Sequence, residues 1–271
     1  MKCAETREQG GSDVVGIINP DGAGPVVLVC EHASAFIPPE FKGLGLNEAQ
    51  RDSHIAWDPG AFQVAKAMSE LLDAPLVHQT VSRLLYDCNR PPEAPSAIPE
   101  TSEIHDIPGN HGLLPSEKKA RAERFYYPFQ SALNDVIDHR SHRPQQPVLV
   151  TIHTFTPNFR GESRTLDVGI LHDSDRRLAD AMLENMRGDG ALAFGRNKPY
   201  GPQDGVTHTL ADQAIPLGLL NVMIEIRNDL VSERATQIAM ANKLVDHLNA
   251  GLTKQNSDLP EQTSSSTGQR I

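Results

Sequence analysis

The sequence predicts an α/β domain built on a mainly parallel sheet sandwiched between helices. Three observations carry that prediction. Aliphatic runs of strand length alternate along the chain with stretches of helical apolar periodicity, the order that βαβ units produce. The strand-like runs, above all Val26–Val29 and Val148–Ile152, are continuously apolar, as strands covered on both faces are. Several of these runs end in polar residues that a core does not place for packing: Glu31-His32, His153, and Glu225 with Arg227.

Taken in order, residues 1–24 are rich in Gly, Glu and Asp without periodicity, and a mobile lead-in settling near Pro25 is expected. The first strand stops at Glu31-His32, and a tight turn of Ala33, Ser34 and Ala35 leads to Pro38-Pro39. A polar pair at the carboxyl end of a buried strand is where open α/β folds place ligand-binding groups. Residues 40–57 read as irregular or briefly helical. Ala61, Val64, Ala65, Met68, Leu71 and Leu72 share one helical face, with Asp58 expected as N-cap and Pro59 as first helical residue. A second strand at 74–80 runs into a polar stretch holding Arg83, Asp87, Asn89 and Arg90.

Prolines at 91, 92, 95, 99 and 108 make residues 91–110 a long patternless loop, a length often functional in a compact domain. A helix from about Ser116 to about His139 should kink at Pro128. The next strand, within 147–157, repeats the opening design and ends in His153. Leu166–His172 reads as a strand, and a helix from Asp175 to Met186 is capped near Asp173 or Ser174. A glycine-containing loop spans 197–208, the last strong strand is Leu219–Arg227, and Ser232 caps a final helix through about Asn249. Residues 252–271 are polar and of low complexity, so a disordered tail is expected, leaving one domain over 25–251.

Composition narrows the partners. The chain has 271 residues and a formal net charge of −10, which argues against a nucleic-acid-binding surface. No apolar stretch approaches the roughly 20 residues of a membrane span, and no signal-peptide core is visible near Met1. Three cysteines (Cys3, Cys30, Cys88) have no paired spacing, which points to a reducing cytoplasm without disulfides. Oligomeric state leaves no mark on the sequence.

If the strands are parallel, their carboxyl ends share one edge of the sheet and the polar strand ends can converge. Two histidines and one carboxylate with an open fourth position make the ligand set of a catalytic zinc site. A further glutamate then serves as general base. Residue types alone leave open which carboxylate plays which part, and Asp58 is explained equally well as a helix cap. Arg83, Arg90 and Arg160 read as surface charges; Arg83 and Arg90, flanking Asp87 and Asn89, fit a pocket for an anion equally well, since the guanidinium fork suits a carboxylate. Of His54, His111 and His172, His111 is the one expected to reach the pocket, because Gly112 follows it. Cys88 has no histidine partner specified and is not read as a nucleophile.

Several blocks then resemble one family. They are Cys30-Glu-His-Ala-Ser34, Trp57-Asp-Pro-Gly-Ala61, Ser82-Arg-Leu-Leu-Tyr-Asp-Cys-Asn-Arg-Pro91, His111-Gly-Leu113, Ile152-His-Thr-Phe-Thr-Pro157, Asn197-Lys-Pro-Tyr200 and Glu225-Ile-Arg-Asn-Asp-Leu230. In that order they resemble the N-formylglutamate amidohydrolase family over about residues 17–250. The resemblance implies a phosphorylase/hydrolase-like three-layer α/β/α sandwich, akin to zinc exopeptidases. It also implies hydrolysis of N-formyl-L-glutamate to formate and L-glutamate, a step of histidine degradation. The first motif departs from the family's Pro-His-Ser-Gly type, being Glu-His-Ala-Ser at 31–34. By order, strand-end position and analogy with zinc amidases, His32, Asp58 and His153 are expected to bind one Zn²⁺ and Glu225 to act as general base. Glu31 is the runner-up for either carboxylate role. Arg83, Asn89, Arg90, Arg227, His111 and Tyr200 are expected to bind an anionic small-molecule substrate. The competing readings are a zinc peptidase or N-acyl-amino-acid deacylase on the same scaffold, and a metal-free dicarboxylate-binding protein.

Overall fold

Continuously apolar strands fill the centre of a seven-stranded mixed sheet in the computed structural model, which describes residues 14–257. The chain opens with β1 (Val15–Ile18), β2 (Val26–Cys30), α1 (Glu48–Asp52), α2 (Ala61–Leu72) and β3 (Leu76–Gln79). A small hairpin, β4 (Thr101–Ser102) and β5 (His105–Asp106), precedes α3 (Pro115–Arg121) and α4 (Tyr127–Ser141). Next come β6 (Val148–Phe155), the hairpin β7 (Asn158–Phe159) and β8 (Glu162–Ser163), and β9 (Val168–Leu171). The chain closes with α5 (Arg177–Met186), β10 (Phe194–Arg196), β11 (Asn221–Arg227) and α6 (Arg234–Ser257).

Strand order in the large sheet is β1-β3-β2-β6-β11-β9-β10. The four neighbours β3, β2, β6 and β11 are mutually parallel, so their carboxyl ends share one edge as expected. β9 pairs antiparallel with β11, and β1 antiparallel with β3. The reversal of β9 carries His172, just beyond its end, to the opposite edge.

Alternate residues of the central strands enter two apolar clusters. Val27, Val29, Leu149 and Met223 pack with Phe129 and Leu133 of α4. Leu28, Val150, Ile152 and Ile224 pack with Val64 of α2, Met182 of α5 and Leu244 of α6. Each fully buried Phe or Leu among them contributes about 1.5–3 kcal/mol relative to exposure. This is why near-continuous apolar runs were the legible signal.

Several expectations need correcting. Val15–Ile18 is a paired edge strand, not lead-in, because β3 offers its free edge to it. α6 runs on to Ser257, past the expected end at 249. The remaining parts of both predicted tails, 1–13 and 258–271, lie outside the described residues. α2 begins at Ala61 behind Gly60 (φ 85°), so Asp58 is not its side-chain cap. The helix expected over 116–139 runs on from α3 into α4 through a π-helical turn at Ala122–Tyr126, which ends just before Pro128. β10 was not foreseen. It lies beside Gly169, where an added Cβ would meet the Lys198 carbonyl oxygen at 1.9 Å, so the 197–200 loop can pass only over a glycine. No helix among the described residues is long and apolar enough to cross a membrane.

Candidate metal centre and active site

Register decides what meets at the shared edge. Glu225 of β11 lies directly beside His153 of β6. β2 pairs Val29 with Thr151, and two more residues along the same register bring Glu31 beside His153. His32 follows Glu31, and the segment before α2 folds back so that the Asp58 N–H donates to the His32 carbonyl at 2.9 Å. Side chains from three strand ends and one loop thus meet with no long-range fitting.

The donor atoms face one another closely. His32 Nδ1 and His153 Nδ1 are 3.2 Å apart. Asp58 Oδ2 lies 3.2 Å from the first and 3.0 Å from the second. Donors at about 2.0–2.1 Å on a tetrahedral ion stand about 3.3 Å apart, so these three form one face of such a shell. Each imidazole has a carboxylate behind it. His32 Nε2 is 2.8 Å from Asp87 Oδ1, and His153 Nε2 is 3.1 Å from Glu31 Oε2 in a bent approach that is not a well-aligned hydrogen bond. Carboxylate–histidine pairs of this kind fix the ring and tautomer of metal-binding histidines. The residues therefore fit a divalent cation.

Electrostatics point the same way. Glu31, Asp58, Asp87 and Glu225 are each at most 4% exposed, and among the described residues the fixed cation in contact is Arg83, which pairs with Asp58 and Asp87 only. Buried charges need partners or a metal. Burial works to raise Asp58 and Asp87, yet neighbouring His32 together with Arg83 holds both carboxyls well below the usual range. Burial opposes charging His153, but the Glu31 and Asp58 carboxylates raise it well above the usual imidazole value. Glu225 is the exception among the acids: burial pushes its carboxyl up to about 7, and its Oε2 has no hydrogen-bond partner.

A cavity of about 530 Å³ opens over these groups, lined by His32, Asp58, His153 and Glu225 at the floor. Of the other predicted site residues, Arg83, Asn89, Arg90 and Tyr200 line it as well. Arg83 is spent on Asp58 Oδ1 at 3.3 Å and Asp87 Oδ2 at 3.1 Å. Asn89 is buried and holds the 206–209 segment, accepting the Thr209 N–H at 3.0 Å. The Tyr200 hydroxyl accepts from Arg164 at 2.9 Å. Arg90 gives its Nη1 to the Asn89 carbonyl at 2.7 Å.

Two expected residues lie elsewhere. Arg227, last in β11, is not among the residues lining the cavity and pairs with Asp167 at 2.9 Å and Asp229 at 2.8 Å. His111 is exposed and pairs with Asp106 at 2.6 Å, because the 101–111 segment folds back on itself as a hairpin. Glu31, the runner-up for either carboxylate role, lies outside the donor triad, with Oε2 3.1 Å from His153 Nε2 and Oε1 accepting from the Thr209 hydroxyl at 2.6 Å. Asp87 and Thr209 were missed. Asp87 was legible as an acid between two arginines, whereas Thr209 reaches Glu31 from 178 residues away and leaves no sequence signal.

The profile of the N-formylglutamate amidohydrolase family matches residues 24–232. Among solved structures, the gene product Atu2144 of Agrobacterium tumefaciens is similar at 51% identity, with a TM-score of 0.89 over 90% of this chain and 97% of that one. An N-formylglutamate amidohydrolase from Ralstonia eutropha JMP134 shares the fold at 19% identity, with a TM-score of 0.54 over 90% of this chain and 97% of that one. No curated protein gives a significant match.

Proposed function

Because this chain belongs to the N-formylglutamate amidohydrolase family, we propose that it hydrolyses the N-formyl or N-acyl amide of an acidic amino acid, N-formyl-L-glutamate foremost. In this reading His32, Asp58 and His153 hold one Zn²⁺ and Glu225 is the general base. The observation that carries it is the triad of donor atoms 3.0–3.2 Å apart with the unpartnered Glu225 carboxylate on the adjoining strand. A bound zinc ion supplies a Lewis acid that acidifies water and polarises a carbonyl.

The chain's own groups do the rest. Glu225 takes a proton from the attacking water and returns it to the amide nitrogen as the C–N bond breaks, releasing formate and the free amino acid. Its raised carboxyl suits a group that must both take and give a proton. Asp87 and Glu31 hold the two imidazoles in place, and Arg83 holds Asp58 and Asp87. Arg90, lining the cavity with no carboxylate partner among the described residues, is available to a substrate carboxylate.

The same reading takes 25–251 as the core of one three-layer α/β/α domain of the zinc-exopeptidase type, with residues 14–24 adding an edge strand. A cytoplasmic setting is supported by Cys30 and Cys88, both free and buried. A metal-free binding protein has no use for two buried imidazole nitrogens at that spacing. The test is formate or acid release from N-formyl, N-acetyl and peptide-linked glutamate by the zinc-loaded protein. N-formyl-L-glutamate is expected to be turned over best; turnover of the peptide-linked substrate alone would favour a peptidase, and none at all would reject the proposal.

A further inference from the structure

Two small hairpins contribute lining residues to the cavity: Glu103 from the β4–β5 turn, and Phe159 and Arg160 from β7–β8. They are clasped together. Glu103 Oε1 accepts the backbone N–H of Arg160 at 3.0 Å, and Glu103 Oε2 lies 2.9 Å from His54 Nε2. The β7–β8 turn has Arg160 at φ 50° and Gly161 at φ 84°. A two-residue turn left-handed at both positions favours Asn-Gly, so an arginine at its first position is held there against its own preference. Arg164 anchors the base of the hairpin, with its guanidinium 4.5 Å from the Phe159 ring and 4.9 Å from the Tyr200 ring.

The clasp uses only the backbone of Arg160. Its guanidinium stacks 5.4 Å from the Phe159 ring and makes no ion pair among the described residues. Arg90 is the other cavity arginine left without a carboxylate among the described residues; it is half-buried where Arg160 is exposed, with its Nη1 on the Asn89 carbonyl at 2.7 Å. An acidic N-acyl amino acid carries two carboxylates at different reach. The α-carboxylate is close to the acyl carbon, and a glutamyl side chain sets its carboxylate two methylenes further out.

We propose that Arg160 is the specificity-determining residue of this cavity: its guanidinium receives the side-chain carboxylate of the substrate, while Arg90 receives the α-carboxylate. The assignment rests on the amidohydrolase reading and extends it to the choice between acidic and neutral substrates. The test compares kcat/KM for N-formyl-L-glutamate and N-formyl-L-glutamine, which differ in that one charge, using zinc-loaded wild type, Arg160→Met and Arg160→Lys. Wild type is expected to prefer the glutamate compound. Arg160→Met should cut that preference about 10- to 100-fold through KM, the worth of one charged hydrogen-bonded contact. Arg160→Lys should recover part of it, keeping the charge without the planar fork. If Arg160→Met lowers both substrates equally, or neither, the inference fails while the amidohydrolase reading stands. A wild type that hydrolyses neither compound overturns both.

Discussion

His32 Nδ1 lies 3.2 Å from His153 Nδ1, with Asp58 Oδ2 within 3.2 Å of both. Two imidazole nitrogens at that distance set lone pair against lone pair unless a proton or a cation stands between them. On the proposed reading the ion is tied to folding as well as to catalysis. Chelation is expected to abolish turnover and lower the Tm, and Zn²⁺ at 100 times its Kd should return about 2.7 kcal/mol of stability. Calorimetric scans that coincide with and without chelator would count against this.

On the proposed reading Glu225 separates catalysis from metal binding. Its side chain lies beside His153 in register but outside the donor triad. Glu225→Gln is expected to keep the metal and lose about 10²- to 10⁴-fold in kcat, the usual worth of a general base. Single-turnover kinetics alongside metal analysis reads both; normal turnover would remove Glu225 from the mechanism.

Behind the histidines, Asp87 and Glu31 have a different expected phenotype. Asp87→Asn and Glu31→Gln keep size and remove the charge facing each ring. Metal affinity should fall about 10- to 100-fold in each, measured by competition with a chromophoric chelator. Unchanged affinity in both would mean that the carboxylates serve only packing.

Far from the cavity, Asp189 ties α6 to the loop after α5 through Lys243 and His247. The Lys243 ammonium, with the Ala191 N–H, lowers its carboxyl to about 2. A carboxyl depressed in the folded state adds stability above its unfolded value of about 3.9, and that stability is lost as the pH falls toward the folded value. Asp189→Asn should therefore lower the urea midpoint at pH 7 and lower it less at pH 3. An equal or larger loss at pH 3 would assign the effect to hydrogen bonding rather than charge.

What the sequence disclosed follows the range of each interaction. The parallel central strands and the meeting of His32, His153 and Glu225 were legible, because a buried strand ending in a polar side chain is a local pattern and strand direction does the rest. Asp58 was ambiguous because a carboxylate before a helix has two common uses, and only Gly60 at the cap position separates them. Arg227 misled for a different reason: β11 delivers it to the correct edge and to the same face as Glu225, but Asp167 and Asp229, which no local pattern ties to it, take its guanidinium. His111 was placed by its neighbouring glycine, and the β4–β5 hairpin that turns it outward is too short to leave a periodic signal. Partners such as Thr209 on Glu31, or Glu103 on the Arg160 backbone, join segments whose spacing nothing in the chain announces.

Metal content per chain, compared between wild type and Asp58→Ala purified side by side, tests the central claim most directly. The wild type is expected to carry about one zinc per chain, as a three-ligand catalytic site does, and the variant close to none. Full occupancy in Asp58→Ala, or a wild type that binds no divalent ion when it is offered, would contradict the account.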